Sequence, residues 1–183
     1  MIAMTQLALA SAENTEPNSA NWDAGGQLEV LTFTIGEECL AVEAVMIREI
    51  LDLMPETRVP GASSLVPSVI NFRGKIIPLA DLRVAFRMPI AEPTVDSRIV
   101  VIELETAGEP TQVGLRTDKV HEVTTLSRRD SSQPPVLGLR WPRHYVREFV
   151  RQSDGVIVLP DIDAIFASSK AGSGSIRARG GLN

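Results

Sequence analysis

Short apolar runs rich in β-branched residues, broken at close intervals by Gly, Pro, Asn and Asp, dominate the chain, and that pattern predicts strands rather than helices. Leu28 and Val30 lead through Leu31, Phe33 and Ile35 to Gly36-Glu37-Glu38, and the apolar pattern resumes from Cys39 to Val42. This is a hairpin signature. Glu43 to Leu53 fits either period, but its β-branched content favours a short turn and then a strand, with Arg48 and Glu49 flanking an exposed Ile47. Pro55, Pro60 and Pro67 mark a loop in which Ser63 to Val66 supplies one helical turn. Met88-Pro89 to Pro93 is a connector before Arg98 to Leu104, a strand apolar enough for burial on both faces. Further strands are predicted at Gln112 to Thr117, Lys119 to Leu126, Tyr145 to Val150 and Val156 to Leu159, with a Pro-rich loop at Ser131 to Pro142 and a turn at Asp154-Gly155. Asp161 is placed to cap a terminal helix over about 161–167. Roughly ten short strands with regular turn signals predict a mainly β fold of two small barrels with short helices.

The stretch Val69 to Arg83 combines two apolar runs with a polar turn. Val69, Ile70 and Phe72 precede Arg73-Gly74-Lys75, and Ile76, Ile77 and Leu79 follow it. Gly74 can take a positive φ and admit a partner close to the backbone. Pro78 has no N–H for a ladder, which predicts an edge strand or a bulge there. Asp81 is a fitting N-cap for a helix through Phe86. The corner therefore holds Asn71, Arg73 and Lys75 on a stiff apolar base, and an arginine so placed is a good anchor for carboxylates or carbonyls of a partner. An ordinary turn with solvated charges satisfies the same composition.

The chain has 183 residues, 44% hydrophobic and 22% charged, enough for one domain or two subdomains sharing a core. A net charge of −5 argues against a nucleic-acid binder, and aromatics at 4% are too few for base-stacking platforms. The lone Cys39 excludes an internal disulfide and a multi-Cys zinc site and suits a reducing cytosol; among Glu38, Leu40 and Val42 it reads as a small buried strand residue. Residues 1–27 are expected to form a disordered N-terminal tail. Their apolar start is too short and lacks the basic residues of a secretory signal. Residues 168–183 are expected to form a flexible Gly/Ser tail. No run approaches the roughly 20 apolar residues that span a bilayer.

No catalytic constellation stands out. His121 and His144 are the only histidines; both lie in strand-like stretches, and His121-Glu122 reads as a solvent-facing pair. G-x-S-x-G, P-loop and H-E-x-x-H patterns are absent from the sequence. Asp161 and Asp163 open a helix, where capping and the macrodipole explain them. Trp22 and Trp141 fall in predicted loops. The expectation is a non-enzyme with no cofactor and no metal.

The ordered set Phe33-x-Ile35-Gly36-x-Glu38, Ile47-Arg48-Glu49-Ile50, Val59-Pro60, the whole of Val69 to Arg83, and Leu159-Pro160-Asp161-Ile162 closely resembles the CheW family of chemotaxis coupling proteins. The resemblance covers about Leu28 to Phe166. It implies two five-stranded SH3-like β-barrels sharing a hydrophobic core within residues 28–167, the first built around 28–88 and the second around 96–158. It further implies a cytoplasmic, non-catalytic adaptor, recruited to membrane-associated receptor arrays, that couples the cytoplasmic tip of chemoreceptors to the regulatory domain of a CheA-type histidine kinase. Carried over by residue, the receptor-binding groove falls on Ile47, Glu49, Asn71, Arg73 and Gly74. The kinase-binding surface is not assignable in this way; Ile99, Val100 and Val120 are candidates that read equally as plain core.

Three positions depart from the family pattern. Ser68 and Glu148 stand where glycine is usual, and Arg116-Thr117 replaces an apolar pair before Asp118. Each alters a turn or strand face, which admits a CheW-like scaffold of a specialised non-flagellar pathway as the alternative function. A small-barrel oligonucleotide-binding protein is a second alternative, opposed by the charge, and a hydrolase using His121 or His144 is a third. A receiver-fused coupling protein is not expected, since no βα repeat follows the domain. Neither nucleic acid nor direct membrane insertion is expected.

Overall fold

The structure is a computed structural model that describes residues 19–136 and 138–171. Strands β1 (Gln27–Ile35), β2 (Glu38–Glu43), β3 (Ile47–Asp52), β4 (Glu56–Arg58), β5 (Ser68–Phe72) and β6 (Lys75–Ala80) precede helix α1 (Leu82–Ala85). Then come β7 (Arg98–Thr106), β8 (Glu109–Thr117), β9 (Lys119–Ser127), β10 (Ser131–Ser132), β11 (Val146–Gln152), β12 (Gly155–Pro160) and helix α2 (Ile162–Ala171). Two six-stranded sheets result, in the orders β10-β11-β12-β2-β1-β9 and β3-β7-β8-β6-β5-β4. The very short β10 and β4 lie at sheet edges and supply the one strand per sheet beyond the five expected. The fold is mainly β with two SH3-like subdomains.

The sheets are not successive halves of the chain, which corrects the division into 28–88 and 96–158. After β2 the chain leaves the first sheet through a 3-10 turn at Ala44–Met46, builds the whole second sheet from β3 to β8, and returns at Asp118 for β9 to β12. Parallel pairings close each subdomain: Ile157 and Val158 of β12 face Cys39 and Leu40 of β2, and Gly114 and Leu115 of β8 face Leu79 and Ala80 of β6. Local patterning specifies hairpins, whereas parallel pairs join strands distant in sequence.

Three apolar clusters match this layout. The largest draws Leu31, Phe33, Leu40 and Val42 from the first sheet and Val100, Ile102, Val113 and Leu115 from the second. It is the shared core. Two smaller clusters each belong to one sheet: Leu28, Val30, Ala41, Leu126 and Leu159 in the first, and Leu51, Ile70, Ile77, Leu79, Ile99 and Val101 in the second. β7 is buried on both faces as predicted, with alternate residues feeding different clusters.

The tail boundaries shift. Most of the expected tails lie outside the described residues, but Ser19–Gly26 is ordered, with Ala20 buried, and α2 runs to Ala171 rather than ending near 167. Asp161 caps that helix by accepting from the Ala164 N–H at 2.9 Å. Pro78 also differs from expectation, because β6 is an interior strand. Only its last two residues have β8 partners, so Pro78 sits before that ladder begins and its missing N–H is tolerated.

Candidate functional site

β5 and β6 form the predicted hairpin corner, with Asn71 opposite Ile76 and Phe72 opposite Lys75. Both turn residues have positive φ, Arg73 at 51° and Gly74 at 79°. This is a two-residue turn of the primed type, whose twist suits a hairpin. Gly74 takes that conformation without strain. Asn71 closes the turn, its Oδ1 accepting from the Gly74 N–H at 3.1 Å.

Arg73 is exposed and lies with its guanidinium carbon 4.7 Å from the centroid of the Phe72 ring. Its Nη1 is 3.7 Å from Glu49 Oε2 on β3. β3 and the β5–β6 hairpin are far apart in the sheet order, so this contact exists because the sheet curls into a barrel. Glu49, Asn71, Arg73 and Gly74 are thereby gathered at one corner. The pair is open to water and contributes orientation more than stability.

Ile47 does not join them. A register shift between Ile47 and Glu49 places Ile47 opposite Ile102 and Glu49 opposite Val101. Ile47 packs half-buried on the shared core, which corrects its expected exposure, while Glu49 shares the face of Leu51 and Val101. The bulge turns two positions that alternation would keep on one face onto opposite faces. The apolar group presented at the corner is Ile76, opposite Asn71 and 64% exposed, a residue whose pattern predicts a strand position and no more. Its neighbour Ile77 is buried, and the alternation about the turn was the available signal.

Of the positions considered for the kinase-facing surface, Ile99 and Val100 are core residues at 1% and 0% exposure. Neither has surface to offer. Val120 is half-buried on β9, an edge strand of the first sheet.

The three departures from the family pattern have partners. Glu56 Oε2 accepts from Ser68 Oγ at 2.5 Å and pairs with the Arg116 guanidinium. Burial pushes the Glu56 carboxyl up, but Arg116 and Ser68 more than offset it and leave it below its usual range. Glu148 is buried and accepts from the Ala20 N–H at 3.0 Å, the Trp22 indole, and the hydroxyls of Ser131 and Ser19. Here too burial raises the carboxyl and the donors, Ser131 first, bring it below its usual range.

His121 Nε2 is 2.5 Å from Thr34 Oγ1, and the His144 ring packs against Tyr145. His144 lies in a 3-10 turn, Arg143–Tyr145, rather than a strand. Trp141 packs edge-on against Phe86. Among the described residues no group of three or more His, Cys, Asp or Glu side chains is arranged to hold a metal ion. No helix among them is long and apolar enough to cross a membrane.

This pair of fused SH3-like barrels, with a charged hairpin corner, defines a mainly β double-barrel domain. Residues 29–170 match the CheW-like domain, and the chain belongs to the CheW family. It is 31% identical over 153 residues to the chemotaxis protein CheW of Rhizobium meliloti (strain 1021), covering 84% of this chain and 96% of that protein. The chemotaxis protein CheW of Treponema pallidum (strain Nichols) is 25% identical over 150 residues, or 79% and 85% of the two chains. Among solved structures, the scaffolding protein TtCheW from Thermoanaerobacter tengcongensis matches with a TM-score of 0.67 at 26% identity, over 76% of this chain and 92% of that one.

Proposed function

We propose that this protein is a non-catalytic chemotaxis adaptor that couples the cytoplasmic tip of chemoreceptors to the regulatory domain of a CheA-type histidine kinase. The observation that carries the reading is membership of the CheW family together with the corner where Arg73 meets Glu49 and Asn71 closes the turn. Support also comes from the near-full coverage of a relative named as a chemotaxis protein. The adaptor works in the cytoplasm and is recruited to receptor arrays at the membrane.

The receptor-binding face is the corner of Glu49, Asn71, Arg73 and Gly74. A helical receptor tip would find there opposite charges to fix its orientation and Ile76 as an apolar contact. Ile47 acts from beneath, by positioning β3 on the shared core. On the kinase-facing side Val120, half-buried on the edge strand β9, is the candidate with surface to offer.

Arg73→Glu reverses the charge at the turn and sets it against Glu49. It is expected to abolish capture of receptor cytoplasmic fragments in a pull-down, while unfolding free energy changes by no more than about 0.5 kcal/mol, as for other exposed substitutions. Undiminished capture would remove this corner from the receptor interface.

A further inference from the structure

Ser19–Trp22 lies outside the span that matches the family, yet it packs against the first sheet. Ala20 is buried among Leu28, Val30, Ala41, Leu126, Val150 and Leu159, and Trp22 packs against the same cluster. The pairings Val30 with Glu43, Leu28 with Leu126 and Leu159 with Glu148 place these residues at one end of the sheet. The segment is a strap over that end.

Its contacts are those of a peptide in a binding site. Glu148, 3% exposed, accepts from the Ala20 N–H at 3.0 Å, from Trp22 Nε1 at 3.1 Å, and from Ser19 Oγ at 3.3 Å. Glu43 accepts from the Asn21 side-chain amide at 2.9 Å. One backbone N–H, one indole N–H, one amide and one small apolar side chain are thus each met by a fixed group. With the strap lifted, Glu148 would keep, among the described residues, only the Ser131 hydroxyl. Lifting the strap opens Glu148 and the apolar end of the sheet to water, and a segment that re-covers that apolar end while returning the same donors is favoured over one that covers it without them.

The strap also has its own pivot. Asp23 Oδ1 accepts from the N–H groups of Gly25 and Gln27, both at 2.8 Å, and Gly26 has φ 70°. This turn holds itself together without Glu148 or Glu43. Opening of the strap at this turn would leave β1 paired. A cleft of about 240 Å³ runs beside it, lined among others by Ala20, Asn21, Leu28, Ala41, Glu43 and Arg147.

We infer that this end of the first sheet is a peptide-binding site, filled in cis by Ser19–Trp22 and open, when the strap lifts, to a second peptide of the same chemistry. The ligand is a short segment with a small apolar residue followed by a side-chain amide and a tryptophan. The inference stands independently of the receptor and kinase reading.

The test uses the full chain carrying Ala20→Arg and Trp22→Ala, which detaches the strap, and a fluorescein-labelled peptide of residues 17–26. Anisotropy should show saturable binding to this variant, at least tenfold weaker binding to the unaltered chain, and at least tenfold weaker binding once Glu148→Gln is added. A detached variant with native circular dichroism and no saturable binding overturns the inference, as does equal binding to the unaltered chain. Should the variant not fold, hydrogen exchange on the unaltered chain decides. The Ala20 amide is expected to exchange at least tenfold faster than that of Leu31, and equal protection means the strap is no separable ligand.

Discussion

Glu148 is a carboxylate that the fold buries and then surrounds with donors. Glu148→Gln is expected to lower unfolding free energy by about 2 kcal/mol at neutral pH, the scale of several hydrogen bonds to a charged group weakened at once. The pH dependence has a definite sign. Its carboxyl is held below the usual range, so its stabilisation is complete above the unfolded carboxylate pKa and is lost as pH falls through the lower folded value. Urea titrations of the two chains across acid pH should therefore converge below about pH 4, and a gap that stays constant would show that the charge is not what stabilises. The residue itself was legible as a departure from pattern, but its partners were not. Ser19, Trp22 and Ser131 are distant in sequence, and nothing in local periodicity says which strand ends will share a face. The same holds for Ser68 and Arg116, which meet on Glu56.

Turn and cap chemistry made the elements readable. Gly36, Gly74 and Gly108 all carry positive φ at hairpin turns, and the side chain of Asp81 accepts from the Arg83 N–H at the start of α1. These are effects of a few adjacent residues, so they can be read directly from the chain. The bulge between Ile47 and Glu49 could not, because it depends on how β3 meets β7. Nor could the role of α1, whose Arg83 is 3% exposed and paired with both Asp81 and Asp118. Asp118 also accepts from the Gly36 N–H at 2.7 Å, tying this short helix to the β1–β2 turn and to the point where the chain returns to the first sheet. Asp118→Ala should destabilise by about 3 kcal/mol, since it leaves a buried guanidinium short of its partner. A shift below about 0.5 kcal/mol in chemical denaturation, the range of an ordinary surface substitution, would mean that Asp81 alone satisfies Arg83.

At the level of the whole molecule, the interleaving of the sheets decides how the chain can fold. Strand content, the shared core and the paired barrels were all foreseeable from patterning and the family resemblance, whereas the assignment of strands to sheets was not. Each sheet contains a parallel pair whose members are far apart in the chain, β2 with β12 and β6 with β8. Cutting in the exposed connector near Glu92 would leave β1 and β2 without β9 and β12, and would leave β3 and β6 without β7 and β8. Neither fragment retains a complete sheet. The shared core would also be divided, with Phe33 and Leu40 on one side of the cut and Val100 and Leu115 on the other. What stays paired is β1-β2 and β6-β5-β4 in one fragment and β7-β8 and β10-β11-β12 in the other, remnants of two or three strands whose apolar faces have lost their cover and which are marginal at best in water. Fragments 1–92 and 93–183 should therefore each give a disordered far-ultraviolet circular dichroism spectrum without a thermal transition, and recover β signal when mixed. A cooperative melt from either fragment alone would contradict the interleaved topology, because only subdomains contiguous in sequence could survive that cut.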